Sequence, residues 1–327
     1  MKALQITKYG ELKDALSFNE IEKPTVKGNN ILVKTEAVGL NPIDFKLANG
    51  ALKEMVPLNM PCTIAFDVSG EIVELGEDVT GLEKGDNIYA RVPHEQMGTA
   101  AEYVAVDSTI VSKKPDNISH EEAAGLPLIG LTSIQALERV GLKEGDQVLI
   151  HAGSGGVGSF AIQYAKAKGA YVYTTTSTKN VDWVKDLGAD RVIDYKKEDY
   201  KSVVSDLDIV FDTLGEEYTT DAFKMIKEGG KVTTIVGAPD EETAAVMGME
   251  EYQLPEDLAK LIDDKSADYK FTWMQPNGDQ LDSISSMVKD SKIKPVVDKT
   301  FSFEDGIDAY EHLATGRAKG KVIIKMA

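Results

Sequence analysis

The sequence has almost no cysteine: Cys62 is the single one among 327 residues. One thiol excludes an intrachain disulfide and a cysteine-rich metal site, and we expect Cys62 to be a small buried hydrophobe rather than a catalytic thiol. No segment approaches the roughly 20 apolar residues of a membrane span, and the first fifteen residues lack the apolar core of a signal peptide. These absences predict a cytoplasmic protein that does not bind membranes.

Positive charge is also scarce. The chain has 36 Lys and Arg against 54 Asp and Glu, for a net charge of −18 at pH 7. This excess of negative charge repels nucleic acid and anionic lipid surfaces. A small-molecule partner is therefore expected, on a chain long enough for two domains.

The pattern of apolar and turn residues changes along the chain. The first third alternates short β-rich runs with turn residues, which predicts a compact, partly barrel-like β-domain. From about Glu121 helices and strands alternate, which predicts an α/β domain with a parallel, doubly wound sheet. The last thirty-odd residues return to β-like runs and are expected to rejoin the first domain. The predicted domains are 1–122 completed by 293–327, and 123–292. Ser119, with Glu122 three residues later, predicts a capping box at a helix start.

A glycine turn in "LIHAGSGGVGSFAIQYAKAKGA" is the first functional motif. Gly153, Gly155 and Gly158 form G-x-G-x-x-G between a predicted strand and a predicted helix. The first glycine permits the turn, the second lets the backbone approach a pyrophosphate, and the third lets the helix pack on the strand. A bare match is compatible with a turn that binds nothing, but the flanking strand and helix favour dinucleotide binding. The predicted contacts are Gly153, Ser154, Gly155, Gly156, Val157 and Gly158.

The next strand, "YVYTTTS", bears on which dinucleotide is bound. An NAD site usually has an acid about 20 residues after the glycines, at the end of this strand. Here the strand ends with Thr176, Ser177 and Lys179, and no acid follows until Asp182. Hydroxyls and an ammonium group suit a 2′-phosphate, so the segment predicts NADPH, although a solvated polar turn would have the same composition.

Several further motifs follow in order: "AVGLNPIDFKLANG", "AFDVSGEIVELGEDVTGLEKGD", "AAGLPLIGLTSIQAL", "LGADRVIDY", "DTLG" and "GRAKGKVII". With the glycine turn, they resemble the zinc-independent branch of the medium-chain dehydrogenase/reductase family, the quinone oxidoreductases and alkenal/enone reductases. The resemblance covers essentially the whole chain. It implies a GroES-like β-domain and a Rossmann domain.

The same resemblance implies that no metal is bound. Zinc alcohol dehydrogenases have cysteine, histidine and cysteine where this chain has Asn41, Phe66 and Leu128, none of which is a good zinc ligand. The four histidines show no close ligand spacing. Without a Lewis acid to stabilise an alkoxide, reduction of an already activated electrophile is the expected chemistry.

Further cofactor contacts are implied residue by residue. Tyr195 matches a tyrosine that relatives use at the 2′-phosphate, and Lys46 matches a lysine that alkenal reductases direct at the cofactor. The remaining matches are Thr132 near the nicotinamide ribose, Leu214, Gly237 and Ala238 at strand ends, and Lys319 and Gly320 near the cleft of relatives. Each is also compatible with an ordinary exposed or packing residue.

The implied reaction is hydride transfer from NADPH to a quinone or an α,β-unsaturated carbonyl compound. Asn41 is the candidate donor to the substrate carbonyl, and Asp67 is either catalytic or a structural hydrogen-bond acceptor. Three alternatives remain open: a zinc-free alcohol dehydrogenase, an enoyl-thioester reductase, and a non-catalytic NADPH-binding regulator. Tyr269–Gln275, as the last strand of the sheet, would be an edge with exposed aromatics, which predicts a homodimer.

Overall fold

A computed structural model describes residues 1–326. The chain forms two compact units, one of Met1–Leu131 with the segment from Gln275 onward, the other of Thr132–Met274. Residues 123–131 and 275–292 thus belong to the first unit, not to the second as the sequence suggested. The reason is visible at 275–292, where the Tyr89 hydroxyl donates to the Leu281 carbonyl over 2.6 Å and the Ser112 hydroxyl donates to Asp282 over 2.6 Å.

The strands of the described chain are β1 (Lys2–Ile6), β2 (Leu16–Glu20), β3 (Asn30–Gly39), β4 (Cys62–Thr63), β5 (Asp67–Leu75), β6 (Asn87–Arg91), β7 (Tyr103–Asp107), β8 (Val111–Lys113), β9 (Gln147–Ile150), β10 (Tyr171–Thr176), β11 (Arg191–Asp194), β12 (Leu207–Asp212), β13 (Ile226–Thr234), β14 (Asp268–Phe271), β15 (Val297–Ser302) and β16 (Lys321–Lys325). The α-helices are α1 (Leu12–Ala15), α2 (Pro42–Ala48), α3 (His120–Ala124), α4 (Pro127–Arg139), α5 (Gly156–Ala167), α6 (Val181–Asp186), α7 (Tyr200–Val203), α8 (Glu217–Met225), α9 (Glu241–Val246), α10 (Glu256–Lys265), α11 (Gly278–Lys289) and α12 (Gly306–Ala314).

The first unit is β-rich. Its main sheet has the order β15-β16-β3-β5-β6-β8, with β7 paired to β3, and a second sheet has the order β2-β1-β4. Strand β16 pairs antiparallel with β3, so the end of the chain does rejoin the first domain, as the sequence predicted. Apolar residues of these strands and of α12 form one buried core.

The second unit is a parallel sheet in the order β11-β10-β9-β12-β13-β14. This order confirms the predicted Rossmann topology, in which the ligand lies beyond the carboxyl ends of the strands where the strand order reverses. The reversal lies between β9 and β12. In both strands three consecutive apolar residues are fully buried, 148–150 in β9 and 209–211 in β12, as expected for strands covered on both faces. The ends of β9, β10, β12 and β13 therefore lie along one edge.

The predicted helix start at Ser119 is confirmed. The Glu122 amide donates to the Ser119 hydroxyl over 3.2 Å, and the Ser119 amide donates to the Glu122 carboxylate over 2.8 Å. The helical segment that follows is divided, however, because α3 ends at Ala124 and α4 begins at Pro127. Proline lacks a backbone N–H and favours the first turn of a helix, so a new helix begins there.

Strand β14 is the edge of the parallel sheet, but its aromatics are not exposed. Tyr269 and Phe271 each retain 6% exposure, and the Tyr269 hydroxyl donates to the Ala238 carbonyl over 2.6 Å. The Phe271 amide donates to Asp240 over 2.7 Å, and its carbonyl accepts from the Thr243 hydroxyl over 2.9 Å. The expectation of an exposed aromatic edge was therefore wrong. Among the described helices, none is long and apolar enough to cross a bilayer.

Candidate cofactor and active site

The glycine turn joins β9 to α5 in the second unit. A Cβ on Gly153 would lie 2.2 Å from the Thr174 hydroxyl, and one on Gly158 would lie 2.3 Å from the Ala152 carbonyl. These two glycines are therefore required by packing. A Cβ on Gly155 would lie no closer than 3.4 Å to any atom, so packing tolerates a side chain there. Approach of a phosphate to the backbone is the remaining reason for a glycine at Gly155.

The amino end of α5 is suited to an anion. Gly155 is its N-cap and supplies no side-chain hydrogen bond, so the first N–H groups of this twelve-residue helix have no capping side chain. Unpaired N–H groups and the positive end of the helix dipole both favour phosphate oxygens. The predicted contacts from Gly153 to Gly158 lie together in this turn, and the cradle fits the pyrophosphate of a dinucleotide.

Residues predicted to contact the 2′-phosphate meet at the ends of β10 and β11. Ser177 follows β10 directly. The Tyr195 backbone amide donates to the Thr176 carbonyl over 3.1 Å, so Tyr195 lies beside the end of β10. Tyr195 is 51% exposed, and Lys179 is also exposed. Thr176 is different: its side chain is 1% exposed, so a contact through its hydroxyl, expected from the sequence, does not fit.

Asp194, an acid on β11 opposite Thr176, was not predicted from the sequence. Its Oδ1 accepts from the Lys196 amide over 3.1 Å, and the Lys197 ammonium lies 3.4 Å from its Oδ2. The Thr178 hydroxyl, the Lys196 amide and the Lys197 side chain hold the pKa of Asp194 below its usual value. The chain's βα alternation, which places consecutive strand ends side by side, was the signal that could have found it.

Three more predicted contacts, Leu214, Gly237 and Ala238, lie beyond the ends of β12 and β13. The Asp212 carboxylate accepts from the amides of Leu214 over 2.8 Å and Gly215 over 3.0 Å, which orders the loop and leaves Leu214 40% exposed. Gly237 has a φ of +104° and open space around its Cβ position, so its conformation and not crowding requires glycine. The last two predicted residues are Ala238 beyond Gly237, and Thr132 buried on α4.

The predicted catalytic residues of the first unit form a buried cluster. The Asn41 side-chain amide donates to Asp67 over 3.0 Å and to the Gly39 carbonyl over 3.3 Å, and its oxygen accepts from the Lys321 ammonium. Both amide hydrogens of Asn41 are therefore used within the protein, and the residue is 1% exposed. This geometry contradicts the expected donation from Asn41 to a substrate carbonyl, because neither amide hydrogen is left for it.

Asp67 is an acceptor throughout. Its carboxylate accepts from the Leu128 amide over 3.1 Å and from Asn41, and it forms an ion pair with Lys321 at 3.3 Å. Burial raises the pKa of Asp67 and lowers the pKa of Lys321, and each charge opposes the effect of burial on the other. This agrees with the structural alternative for Asp67. Lys321, which the sequence reasoning missed, holds the cluster together.

Asp44 lies next to this cluster. Its carboxylate accepts from the backbone N–H of Asn41 over 2.9 Å and from the Tyr310 hydroxyl over 3.3 Å. Complete burial raises the pKa of Asp44 to about 7. Arg91, which is also fully buried, stacks over the Phe66 ring at 4.7 Å and contacts His94. Positive charges therefore accompany the two buried carboxylates.

The other predicted contacts, Lys46, Lys319 and Gly320, belong to the first unit. Lys46 is exposed on α2, and Lys319 is partly exposed before β16. Gly320 has a φ of +76°, and a Cβ there would lie 2.3 Å from the Val296 carbonyl, so packing alone accounts for this glycine.

The residues present do not fit a catalytic zinc ion. Asn41 is engaged by an ammonium group, Phe66 is covered by Arg91, and Leu128 contributes only its backbone amide. Within residues 1–326, no three His, Cys, Asp or Glu side chains could hold a metal ion. The histidines are used elsewhere: His120 contacts the Ser69 hydroxyl at 2.8 Å, and His312 contacts Asp298 at 2.7 Å.

Comparisons with known proteins agree with this architecture. Residues 27–116 match the alcohol dehydrogenase GroES-like domain, and residues 187–324 match a family described as zinc-binding dehydrogenase. The chain is 35% identical over 335 residues to a 2-methylene-furan-3-one reductase of Solanum lycopersicum, covering 99% of this chain and 79% of the relative. It is 33% identical to the chloroplast envelope quinone oxidoreductase homolog of Arabidopsis thaliana, covering 99% and 98%.

A solved structure gives the same result. The quinone oxidoreductase of Coxiella burnetii superposes with a TM-score of 0.88 at 32% identity, covering 100% of this chain and 99% of that one. A GroES-like domain with a Rossmann domain defines a two-domain oxidoreductase. The chain belongs to the medium-chain dehydrogenase/reductase family, in the branch of the quinone and alkenal/one oxidoreductases.

Proposed function

We propose that this protein uses NADPH to reduce quinones or α,β-unsaturated carbonyl compounds by hydride transfer without zinc. The observation that carries the proposal is the phosphate cradle of the glycine turn on the same sheet edge as Ser177, Lys179 and Tyr195. A relative of 35% identity in Arabidopsis thaliana is named an NADPH-dependent alkenal/one oxidoreductase, which supports both the cofactor and the substrate class.

The chain's own residues would bind and orient the cofactor. The turn from Gly153 to Gly158 would hold the pyrophosphate, and Ser177, Lys179 and Tyr195 would hold the 2′-phosphate. NADPH supplies the hydride when it is bound. Because a lysine ammonium is a point charge, Lys179 favours the dianionic phosphate over an uncharged ribose hydroxyl.

The residues present do not fit a zinc ion, and this limits the class of substrates that the protein can reduce. Hydride addition to a simple ketone concentrates negative charge on one oxygen, which needs a Lewis acid or a strong donor. The amide of Asn41 is already engaged, so it is not such a donor. A conjugated acceptor spreads the incoming charge over several atoms and needs less stabilisation. Solvent can then protonate the reduced product.

NADPH oxidation in the presence of quinones, enals, enones and enoyl thioesters, and NADP+ reduction in the presence of alcohols, test this function. We expect turnover with the conjugated acceptors, no oxidation of simple alcohols, and unchanged activity after treatment with a chelator. Loss of activity on chelation with recovery on adding zinc would contradict the zinc-free mechanism. Tight NADPH binding without turnover of any conjugated acceptor would favour a regulator.

Cofactor preference gives a second test. Replacing Lys179 with Glu should weaken NADPH binding by about tenfold or more, because a charge-assisted bond is replaced by repulsion, while NADH binding changes little. Lys185→Glu, at an exposed position on α6, is the matched control and should affect neither cofactor. Equal weakening of both cofactors by Lys179→Glu would place the 2′-phosphate elsewhere.

Assembly and location are part of the same proposal. We place the protein in the cytoplasm, and pairing of β14 with a second copy would give a homodimer. At Phe271 the backbone groups of this edge are already bonded to Asp240 and Thr243. A second copy would therefore pair with the outward backbone groups of Tyr269. Sedimentation at micromolar concentration should show a dimer, and a monomer would contradict this part of the proposal.

A further inference from the structure

We infer that Asn180 and Trp183 determine NADPH selectivity by orienting the Ser177 hydroxyl as a hydrogen-bond donor. The inference rests on the proposed function and assigns a role to two residues that lie behind the predicted phosphate contacts. Ser177 follows β10 directly, Asn180 ends the short 3₁₀ turn Thr178–Asn180, and Trp183 lies in the first turn of α6.

The orientation of the Asn180 amide follows from Trp183. The indole Nε1–H is a donor and cannot accept a hydrogen bond. It lies 3.1 Å from one side-chain atom of Asn180, which must therefore be the oxygen Oδ1. The amide nitrogen Nδ2 then faces Ser177, whose Oγ it reaches over 3.3 Å. Asn180 is only 6% exposed, and its backbone N–H donates to the Ser177 carbonyl over 2.8 Å, so the arrangement is held in place.

The consequence concerns the single hydrogen of the Ser177 hydroxyl. Because Ser177 Oγ accepts from Asn180, its own hydrogen is available to a group on its partly exposed side. A phosphate dianion has only acceptors to offer, so a hydroxyl committed to donation suits it. A ribose hydroxyl can donate or accept and gains less from this commitment. The relay from Trp183 through Asn180 therefore favours a 2′-phosphate specifically.

Binding of 2′,5′-ADP and of 5′-AMP, measured by calorimetry on the whole protein, separates this role from a general structural one. In Asn180→Asp the carboxylate accepts from both Trp183 and Ser177, which turns the Ser177 hydrogen inward. We expect 2′,5′-ADP to bind about tenfold or more weakly, as for loss of a hydrogen bond to a charged group, and 5′-AMP to bind as before. Asn180→Ala, which adds no charge, should give a smaller loss in the same direction.

The Ser177→Ala background shows whether Asn180 acts through Ser177. In that background Asn180→Ala should cause no further loss of 2′,5′-ADP affinity, because the hydroxyl to be oriented is gone. A further loss there, or equal weakening of both nucleotides by Asn180→Ala, would overturn the inference. So would a wild-type protein that binds 2′,5′-ADP no better than 5′-AMP. Wild-type selectivity without turnover of conjugated acceptors would refute only the proposed reaction.

Discussion

Replacing Lys321 with methionine should strongly destabilise the first unit, since it leaves the Asp67 carboxylate buried without its cation. Asp67 is fully buried, and Lys321 is 3% exposed. Removing one partner of a buried ion pair typically costs about 3–5 kcal/mol. That is a large part of the roughly 5–15 kcal/mol by which folded proteins are stable. Calorimetric unfolding should therefore show a clearly lower midpoint for the variant.

The same strand provides a matched control. Lys325 also lies on β16 and pairs with Glu121 at 2.6 Å, but its side chain is 62% exposed. Solvent screens such a pair, so Lys325→Met should change the free energy of unfolding by no more than about 1 kcal/mol. Adding Asp67→Asn to Lys321→Met removes the unpaired charge and should recover about 2 kcal/mol or more of the loss.

The loss in Lys321→Met should also depend on pH. Burial already raises the pKa of Asp67 in the folded protein, and loss of the ammonium raises it further. The folded variant then binds a proton that the unfolded chain, with a carboxyl pKa near 3.9, does not. The deficit is therefore largest at neutral and alkaline pH and shrinks as the pH falls through the folded-state pKa. A deficit equal to that of Lys325→Met, or one independent of pH, would refute this account of the cluster.

Three further predictions concern other parts of the molecule. Burial raises the pKa of Asp44 to about 7, so the free energy of unfolding should fall as the pH rises from about 4 to 7, by up to about 1.4 kcal/mol per pH unit. Asp44→Asn should remove this pH dependence in urea titrations. In the glycine turn, Gly158→Ala should cost about 1–3 kcal/mol of stability, because the added Cβ clashes with the Ala152 carbonyl. Gly155→Ala should fold normally but bind NADPH more weakly in a fluorescence titration. Unimpaired NADPH binding by Gly155→Ala would contradict the phosphate cradle. Ser119→Ala should cost about 1 kcal/mol by thermal denaturation, and no change would mean that the capping box contributes nothing.

Local features of this protein could be predicted from the sequence because their causes are local. The glycine turn requires Gly153 and Gly158 for steric reasons that act within a few residues or on the adjacent strand. The buried strands β9 and β12 are short apolar runs between turn residues, and their alternation with helices admits few topologies. The capping box at Ser119 depends on two residues three positions apart. For these reasons the fold and the dinucleotide turn followed from the printed sequence.

Tertiary structure alone decided how the polar residues are used. Asn41 has the chemistry of a substrate donor, but its amide is engaged by Asp67, 26 residues away, and by Lys321, 280 residues away. Helix α11 belongs to the first unit because it is hydrogen-bonded to β6 and β8, and no local sequence pattern predicts these bonds. Tyr269 has an aromatic ring typical of an exposed edge, yet it packs into the core. A polar or aromatic side chain can satisfy itself with whatever the fold brings near, so its role depends on distant partners that composition and spacing do not specify.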